Sequence, residues 1–344
     1  PGAMPKNARI AQASVTDTVP LLPIQIEFFE QEIPARHHWN QAVLLKSSEP
    51  LDTGSLAQAL EAVVRHHDAL RFRYARQANG DWQQICGGLA DRDLRDLLWI
   101  RDAADAGHFT ALCNEAQRSL NLADGPLLRA LAATTTDGSQ RLLLVIHHLV
   151  VDGVSWRILL EDLQSAYHHY RLGTPAPLAE KTSDYRAWAQ RLQDYVQVHA
   201  DELAYWQNLA GVSASLPKDY PQGSNSALHQ ASTLLKLDRM QTQALLKQAP
   251  AAYRTQVNDL LLAALGAALC RWSGHGRILV DLEGHGREDL HADIDLSNTV
   301  GWFTCLYPVV LDSSGNLDER LKRIKEALRQ VPNKGLGYGL FKYH

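Results

Sequence analysis

The stretch LLLVIHHLVVDGVSWRILLEDL, Leu142–Leu163, decides how this chain is read. Five apolar residues run into the doublet His147-His148, and Asp152-Gly153 then makes a turn. The run predicts a buried strand over Arg141–Leu149. From Ser155 the period changes. Trp156, Leu159, Leu160, Leu163, Ala166, Tyr167 and Tyr170 share one face, which predicts a helix over Ser155–Tyr170. A strand passing through a tight turn into a helix is a building unit of α/β folds.

The same alternation recurs on both sides. Leu56, Leu60, Val63, Val64 and Ala69 have helical spacing over Leu56–Leu70, and RFRY after them reads as a strand. LGTPAPLAEKTS, from Leu172, has the Pro, Gly and small residues of a linker. It sets the expected lobes at 6–173 and 174–344. A helical region rich in aromatics should follow, through Trp188, Tyr195 and Trp206, and then a loop at LPKDYPQGSN from Leu216. Val257–Trp272 predicts an apolar helix buried on most sides. Arg277–Leu282 predicts a strand, and Val300–Leu311 contains another. Leu317, Leu321, Ile324 and Leu328 form an amphipathic stripe that stops before Pro332. The expected class is α/β in two lobes.

Composition agrees. A chain of 344 residues is long for one core. Lys and Arg number 34 against 38 Asp and Glu, a net charge of −4, which opposes nucleic-acid or anionic-membrane binding. The longest apolar run, Leu260–Cys270, is too short to span a bilayer. Cys86, Cys113, Cys270 and Cys305 lack CxxC spacing, so packed thiols in a cytoplasmic protein are expected rather than a zinc site. No signal peptide is expected, and PGAMP at the start reads as an expression scar.

Of 15 histidines, eight form doublets: His37-His38, His66-His67, His147-His148 and His168-His169. Context must pick out the one that matters. Neighbours in a strand point to opposite faces, so His147 and His148 should not share a cleft. That opposes a metal and leaves either a structural pair or one base at the strand end, beside the turn. Asp152 is expected to fix the loop, with its partner open. The second cluster is LVDLEGHGREDL, from Leu279. Glu283 ends an apolar strand, where desolvation would suit it to acid–base work; the alternative is a solvated surface turn. Gly284 and Gly286 allow close backbone approach around His285. Gly301-Trp302-Phe303 are expected in an apolar strand, where aromatics are more often core than a ligand platform. GLGYGLFKY, from Gly335, has neither phosphate-loop spacing nor a clear helix after it. The other three doublets read as structural, His66-His67 at a helix end where a cation complements the dipole.

Six segments in order resemble the epimerization domains of nonribosomal peptide synthetases, a branch of the condensation-domain superfamily. They are PLLPIQIEFFEQ, HHLVVDGVSW, NDLLLAALG, EGHGRE, TVGWFT and GLGYG. HHLVVDG carries the superfamily's HHxxxDG, and EGHGRE is the most diagnostic. The resemblance implies two chloramphenicol-acetyltransferase-like lobes in a V-shaped pseudo-dimer with a central tunnel. Into it an upstream peptidyl carrier protein would bring an aminoacyl or peptidyl thioester on 4'-phosphopantetheine. The implied reaction inverts Cα, from L toward D, by proton removal and redelivery. His148 and Glu283 would be the acid–base pair. His147 and Gly153 would support the motif turn, and Asp152 would pair with Arg287. Trp156, Asn298, Trp302 and Tyr338 would line the tunnel. No metal and no cofactor of the domain's own are implied. A downstream condensation domain or synthetase is the other expected partner, in a multidomain enzyme.

Glu27 and Asn298 depart from the family pattern, which usually has an aromatic and an arginine there. The chain is expected to stop short of a later FNYLG motif. Two other functions compete: a condensation-type acyltransferase that uses His148 on an amine, and a non-catalytic carrier-docking module.

Overall fold

The computed structural model describes residues 10, 12–88, 96–224 and 226–343. The expected expression scar, Pro1–Pro5, lies outside them. The described chain forms two compact units. The first comprises the described residues of 1–198, 285–305 and 342–344; the second comprises those of 199–284 and 306–341.

The first unit is built on β1 (Asp17–Val19), α1 (Pro23–Glu30), β2 (Asn40–Lys46), α2 (Thr53–His66), β3 (Phe72–Arg76) and β4 (Trp82–Cys86). Then follow β5 (Leu98–Asp102), α3 (Ala106–Arg118), β6 (Leu128–Thr134), β7 (Gln140–His147), α4 (Gly153–Arg171) and α5 (Tyr185–Arg191). Its main sheet has the order β2-β7-β6-β5, and a smaller one the order β1-β4-β3. β5 and β6 pair in parallel, which requires a crossover connection, here through α3. α3 covers one face, packing Leu112 and Ala116 with Leu131, Ala133, Leu143 and Val145. The opposite face is buried too, so every residue from Leu142 to His147 is buried. This is why β7 reads as a continuous apolar run. α2 starts at Asp52, which accepts from the Ser55 amide at 2.6 Å. It buries Leu56, Ala59, Leu60, Val63 and Val64 and packs beside α4. Each fully buried Leu or Val contributes roughly 1.5–3 kcal/mol.

The second unit carries α6 (Val257–Ser273), β8 (Arg277–Gly284), β9 (Cys305–Asp312) from Leu306 on, and α7 (Leu317–Gln330). α8 (Leu336–Tyr343) belongs to it up to Phe341. The core joins Trp206, Leu262, Cys270, Ile278, Leu311 and Ile324. Gly266 admits Leu311 to the backbone of α6: a Cβ there would lie 2.9 Å from the Leu311 Cβ.

Several expectations need correction. The aromatic-rich region is three short helices, α5, Tyr195–Val198 and Glu202–Gln207. Trp188 and Tyr195 are buried within the first unit and Trp206 in the core of the second, so the region is divided between two cores. α6 buries only one side; Leu261, Leu265 and Trp272 are exposed. Leu317 of the α7 stripe is also exposed. GLGYGLFKY does contain a helix, α8. The segment before Cys305 is not strand, because its backbone groups bond to side chains of α4, as described below. The compact units also differ from the lobe limits expected at Gly173. Residues 174–198 and 285–305 pack with the first unit, the former through Lys181 on Asp68 and the latter through Arg287 on Asp152.

Candidate active site

β7 ends at His147, and His148–Val150 form a single 3-10 turn. The two imidazoles therefore diverge, as strand alternation requires. His147 is fully buried. Its Nδ1 accepts from the Leu149 amide at 3.2 Å, and its Nε2 lies 3.0 Å from the Arg36 carbonyl, to which it donates. Burial lowers its pKa to about 4, opposed by the bond to Arg36. It is a neutral brace for the turn.

His148 is half-buried and makes the reverse set of bonds. Its Nδ1 lies 2.8 Å from the Val151 carbonyl, which can only accept. Its Nε2 lies 3.0 Å from Gln41 Nε2. Gln41 Oε1 accepts from the Trp156 indole at 2.7 Å. The ring packs against Trp302 with centroids 4.4 Å apart. The Trp302 carbonyl accepts from Tyr185 Oη at 3.0 Å, while its indole Nε1 is buried with no hydrogen-bond partner among the described residues.

Asp152 is the N-cap of α4, accepting from the Ser155 amide at 2.7 Å. Both its oxygens lie 3.1 Å from Arg287 Nη2. Arg287 Nη1 donates to the carbonyls of Leu296 and Thr299 at 3.0 and 2.6 Å, and Nη2 also donates to Ser155 Oγ at 3.0 Å. The guanidinium stacks 4.0 Å from the Phe303 ring centroid. Burial pulls Arg287 below the usual arginine value, and Asp152 opposes that pull. The loop before β9 bonds to the same two side chains. Phe303 N donates to Asp152 Oδ2 at 3.2 Å, Gly301 N donates to Ser155 Oγ at 3.1 Å, and Ser155 Oγ donates to Gly301 O at 2.9 Å. Gly286 turns the EGHGRE loop with φ +65°, and a Cβ there would strike the Phe303 carbonyl.

The structure thus gathers His147, His148, Asp152, Gly153, Trp156, Arg287 and Trp302 around one turn. Within the same unit, Asn298 lies apart from that turn. Asn298 is exposed and borders a small hollow with His66, His67 and Lys181. Tyr338 packs edge-on against Trp206, centroids 5.2 Å apart, in the second unit. Glu283, at the end of β8, is exposed rather than enclosed in an apolar strand end, and it belongs to the second unit. Sequence reasoning missed Gln41. The available signal was a polar pair, Asn40-Gln41, opening a strand whose next four residues, Ala42 to Leu45, are apolar. Register explains its place: Gln41 pairs with Ile146, on the face His148 shares.

Among the described residues, His66, His67 and Asp162 form a group that could hold a metal, their ligand atoms within 4.8 Å of one another. In this structure His67 Nε2 and Asp162 Oδ2 bond directly at 2.8 Å, linking α2 to α4. No described helix is long and apolar enough to cross a membrane.

A family model described as Condensation domain matches residues 15–344. The chain is 45% identical over 339 residues to a linear gramicidin synthase polypeptide of Brevibacillus parabrevis, covering 96% of this chain and 6% of that one. It is 42% identical over 343 residues to surfactin synthase subunit 1 of Bacillus subtilis (strain 168), covering 96% and 10%. The chain therefore spans a tenth or less of these synthases. Among solved structures, the epimerization domain from the third module of tyrocidine synthetase B matches with TM-score 0.90 at 40% identity, covering 97% of this chain and 77% of that one.

Proposed function

The chain belongs to the condensation-domain family, and on that premise we propose that it inverts the Cα of an aminoacyl or peptidyl thioester. Its fold is the α/β, two-lobed, chloramphenicol-acetyltransferase-like fold of that family. The substrate would be carried on the 4'-phosphopantetheine of an upstream peptidyl carrier protein. The domain would work in the cytoplasm, within a larger synthetase that continues into a condensation domain. It would need no metal or cofactor of its own.

A thioester acidifies its Cα–H, so a neutral imidazole can remove that proton and leave an enolate-like intermediate. Inversion then requires a second acid–base group to deliver a proton to the other face. His148 and Glu283 are assigned these two roles. The observation that carries the reading is the state of His148. Nδ1 is committed to the Val151 carbonyl, and Nε2 keeps its lone pair on a half-buried ring. The Asp152–Arg287 pair supports the reading by joining the turn that carries His148 to the EGHGRE loop that follows Glu283.

The test loads a carrier with an L-aminoacyl or L-peptidyl pantetheine thioester in deuterated buffer and adds the protein. Deuterium should enter Cα with appearance of the D form, and His148→Ala should abolish both. Absence of uptake across cognate substrates overturns the reading. Peptide-bond formation between donor and acceptor thioesters would replace it with the condensation reaction. Carrier binding without exchange would replace it with a docking role.

A further inference from the structure

We infer that Gln41 is a positioning residue that fixes the tautomer of His148 and guards its Nε2 lone pair, with Trp156 fixing Gln41 in turn. The inference rests on the proposed role of His148 as a base.

The argument follows from which groups can only donate or only accept. The Trp156 indole N–H is a donor only. At 2.7 Å it must face the oxygen of the Gln41 amide, so the amide cannot flip without losing that bond. The amide NH2 then faces His148 Nε2 at 3.0 Å, and Nε2 must accept. A neutral imidazole that accepts at Nε2 carries its proton on Nδ1. Nδ1 lies 2.8 Å from the Val151 carbonyl, an acceptor only, so the assignment closes at both ends. Every link lies in the first unit, and two rigid elements hold it. Gln41 is on β2, hydrogen-bonded to β7, and Trp156 is in the first turn of α4.

Two consequences follow for proton transfer. In the resting domain Gln41 occupies the position a Cα–H must take, so substrate binding has to displace its NH2. In the step itself the Nε2 lone pair takes the proton, an N–H bond forms as the Cα–H bond breaks, and the bonding pair moves into the thioester carbonyl. Return of the displaced Gln41 NH2 to its resting place would then set it against the new Nε2–H, donor against donor. That arrangement opposes a lasting imidazolium and favours return of the proton.

The test uses three substitutions in the full chain. Gln41→Glu keeps the shape and the bond to Trp156 but accepts from Nε2, so it demands a proton there. Gln41→Met removes the donor. Trp156→Phe frees the amide to flip. Protein labelled with 15N-histidine reports the proton on each ring nitrogen, and His148→Ala assigns the signal among the 15 histidines. The unsubstituted protein should show His148 protonated on Nδ1 and bare on Nε2 at neutral pH. Gln41→Glu should put a proton on Nε2 as well as Nδ1 and lower Cα exchange by about tenfold or more. Gln41→Met and Trp156→Phe should shift the tautomer ratio toward Nε2–H and slow exchange by about 2- to 10-fold, the worth of one neutral hydrogen bond. An unchanged nitrogen pattern in Gln41→Glu overturns the inference. So does unchanged exchange in all three when His148→Ala is inactive. Exchange that survives His148→Ala instead overturns the role of His148 as base, and the nitrogen pattern then still decides whether Gln41 sets the tautomer.

Discussion

Two clusters meet at the turn after β7, and they are built differently. Asp152, Arg287 and Ser155 form a closed one: all are well enclosed, the charges neutralise each other, and each links separate stretches of chain. Gln41, His148 and Trp156 form an open one: among the described residues no ion pair holds it, the ring is half-buried, and its Nε2 meets only the side-chain amide of Gln41. The adjacent histidines repeat the contrast. His147 commits both nitrogens to backbone groups, and His148 commits one. The difference separates parts that hold the fold from parts to which the proposed function gives the reaction, and it can be broken from either side.

The largest effect is expected in the open cluster. His148→Ala should lower Cα exchange by about 10²–10⁴-fold, the range of a positioned general base. Its unfolding midpoint in urea should stay near that of the unsubstituted protein, because the ring is half-exposed. A large loss of stability would erase the distinction between the clusters.

Arg287→Ala should do the reverse. It strands the Asp152 carboxylate and frees the Leu296 and Thr299 carbonyls. Breaking a buried pair from one side costs about 3–5 kcal/mol. Urea unfolding should show the loss, and a change below about 1 kcal/mol would demote the pair to a surface-like contact.

His147 links the clusters through pH. Its pKa is held at about 4 in the fold, against 6.5 in the unfolded chain. Above 6.5 both states are neutral and the fold carries no penalty. As pH falls from 6.5 toward 4 the unfolded chain binds a proton that the fold refuses, so stability drops and then levels off. The drop is on the order of 3 kcal/mol. His66, also lowered to about 4 by burial and by His67, titrates in the same window. The difference between the unsubstituted protein and His147→Gln isolates the first. Parallel stability–pH curves would show that His147 is not the buried neutral brace described here.

How much of this was legible in the sequence depended on range. The strand, turn and helix around Leu142–Leu163 were local, and period alone gave them within two residues at either end. Opposite faces for His147 and His148 followed from the same rule. Arg287 lies 135 residues from Asp152, and only the family resemblance joined them. Gln41 lies 107 residues from His148 and carries no motif. Val300–Thr304 looked like strand because it is apolar and buried, yet Asp152 and Ser155 took the hydrogen bonds a ladder would have used. The exposure of Glu283 and of the outer side of α6 had no local signature either. A run of apolar letters gives hydrophobicity, not the area that neighbours cover.

The smallest effect should come from Ser155→Ala, and it tests the closed cluster most finely. The substitution leaves the Ser155 amide in place, so the Asp152 cap on α4 survives. It also leaves Arg287 paired with Asp152. What it removes is one hydroxyl that donates to Gly301 O and accepts from Gly301 N and Arg287 Nη2. These groups are buried, and leaving them without a partner costs about 1–3 kcal/mol. Urea unfolding should register that loss, less than for Arg287→Ala. Exchange by the folded variant should fall less than about tenfold, because no bond to His148 is touched and the lost hydroxyl acts on the neighbouring loop. A variant that keeps full stability but loses exchange as His148→Ala does would place Ser155 in the open cluster, and the boundary between holding and reacting would have to be redrawn through the first turn of α4.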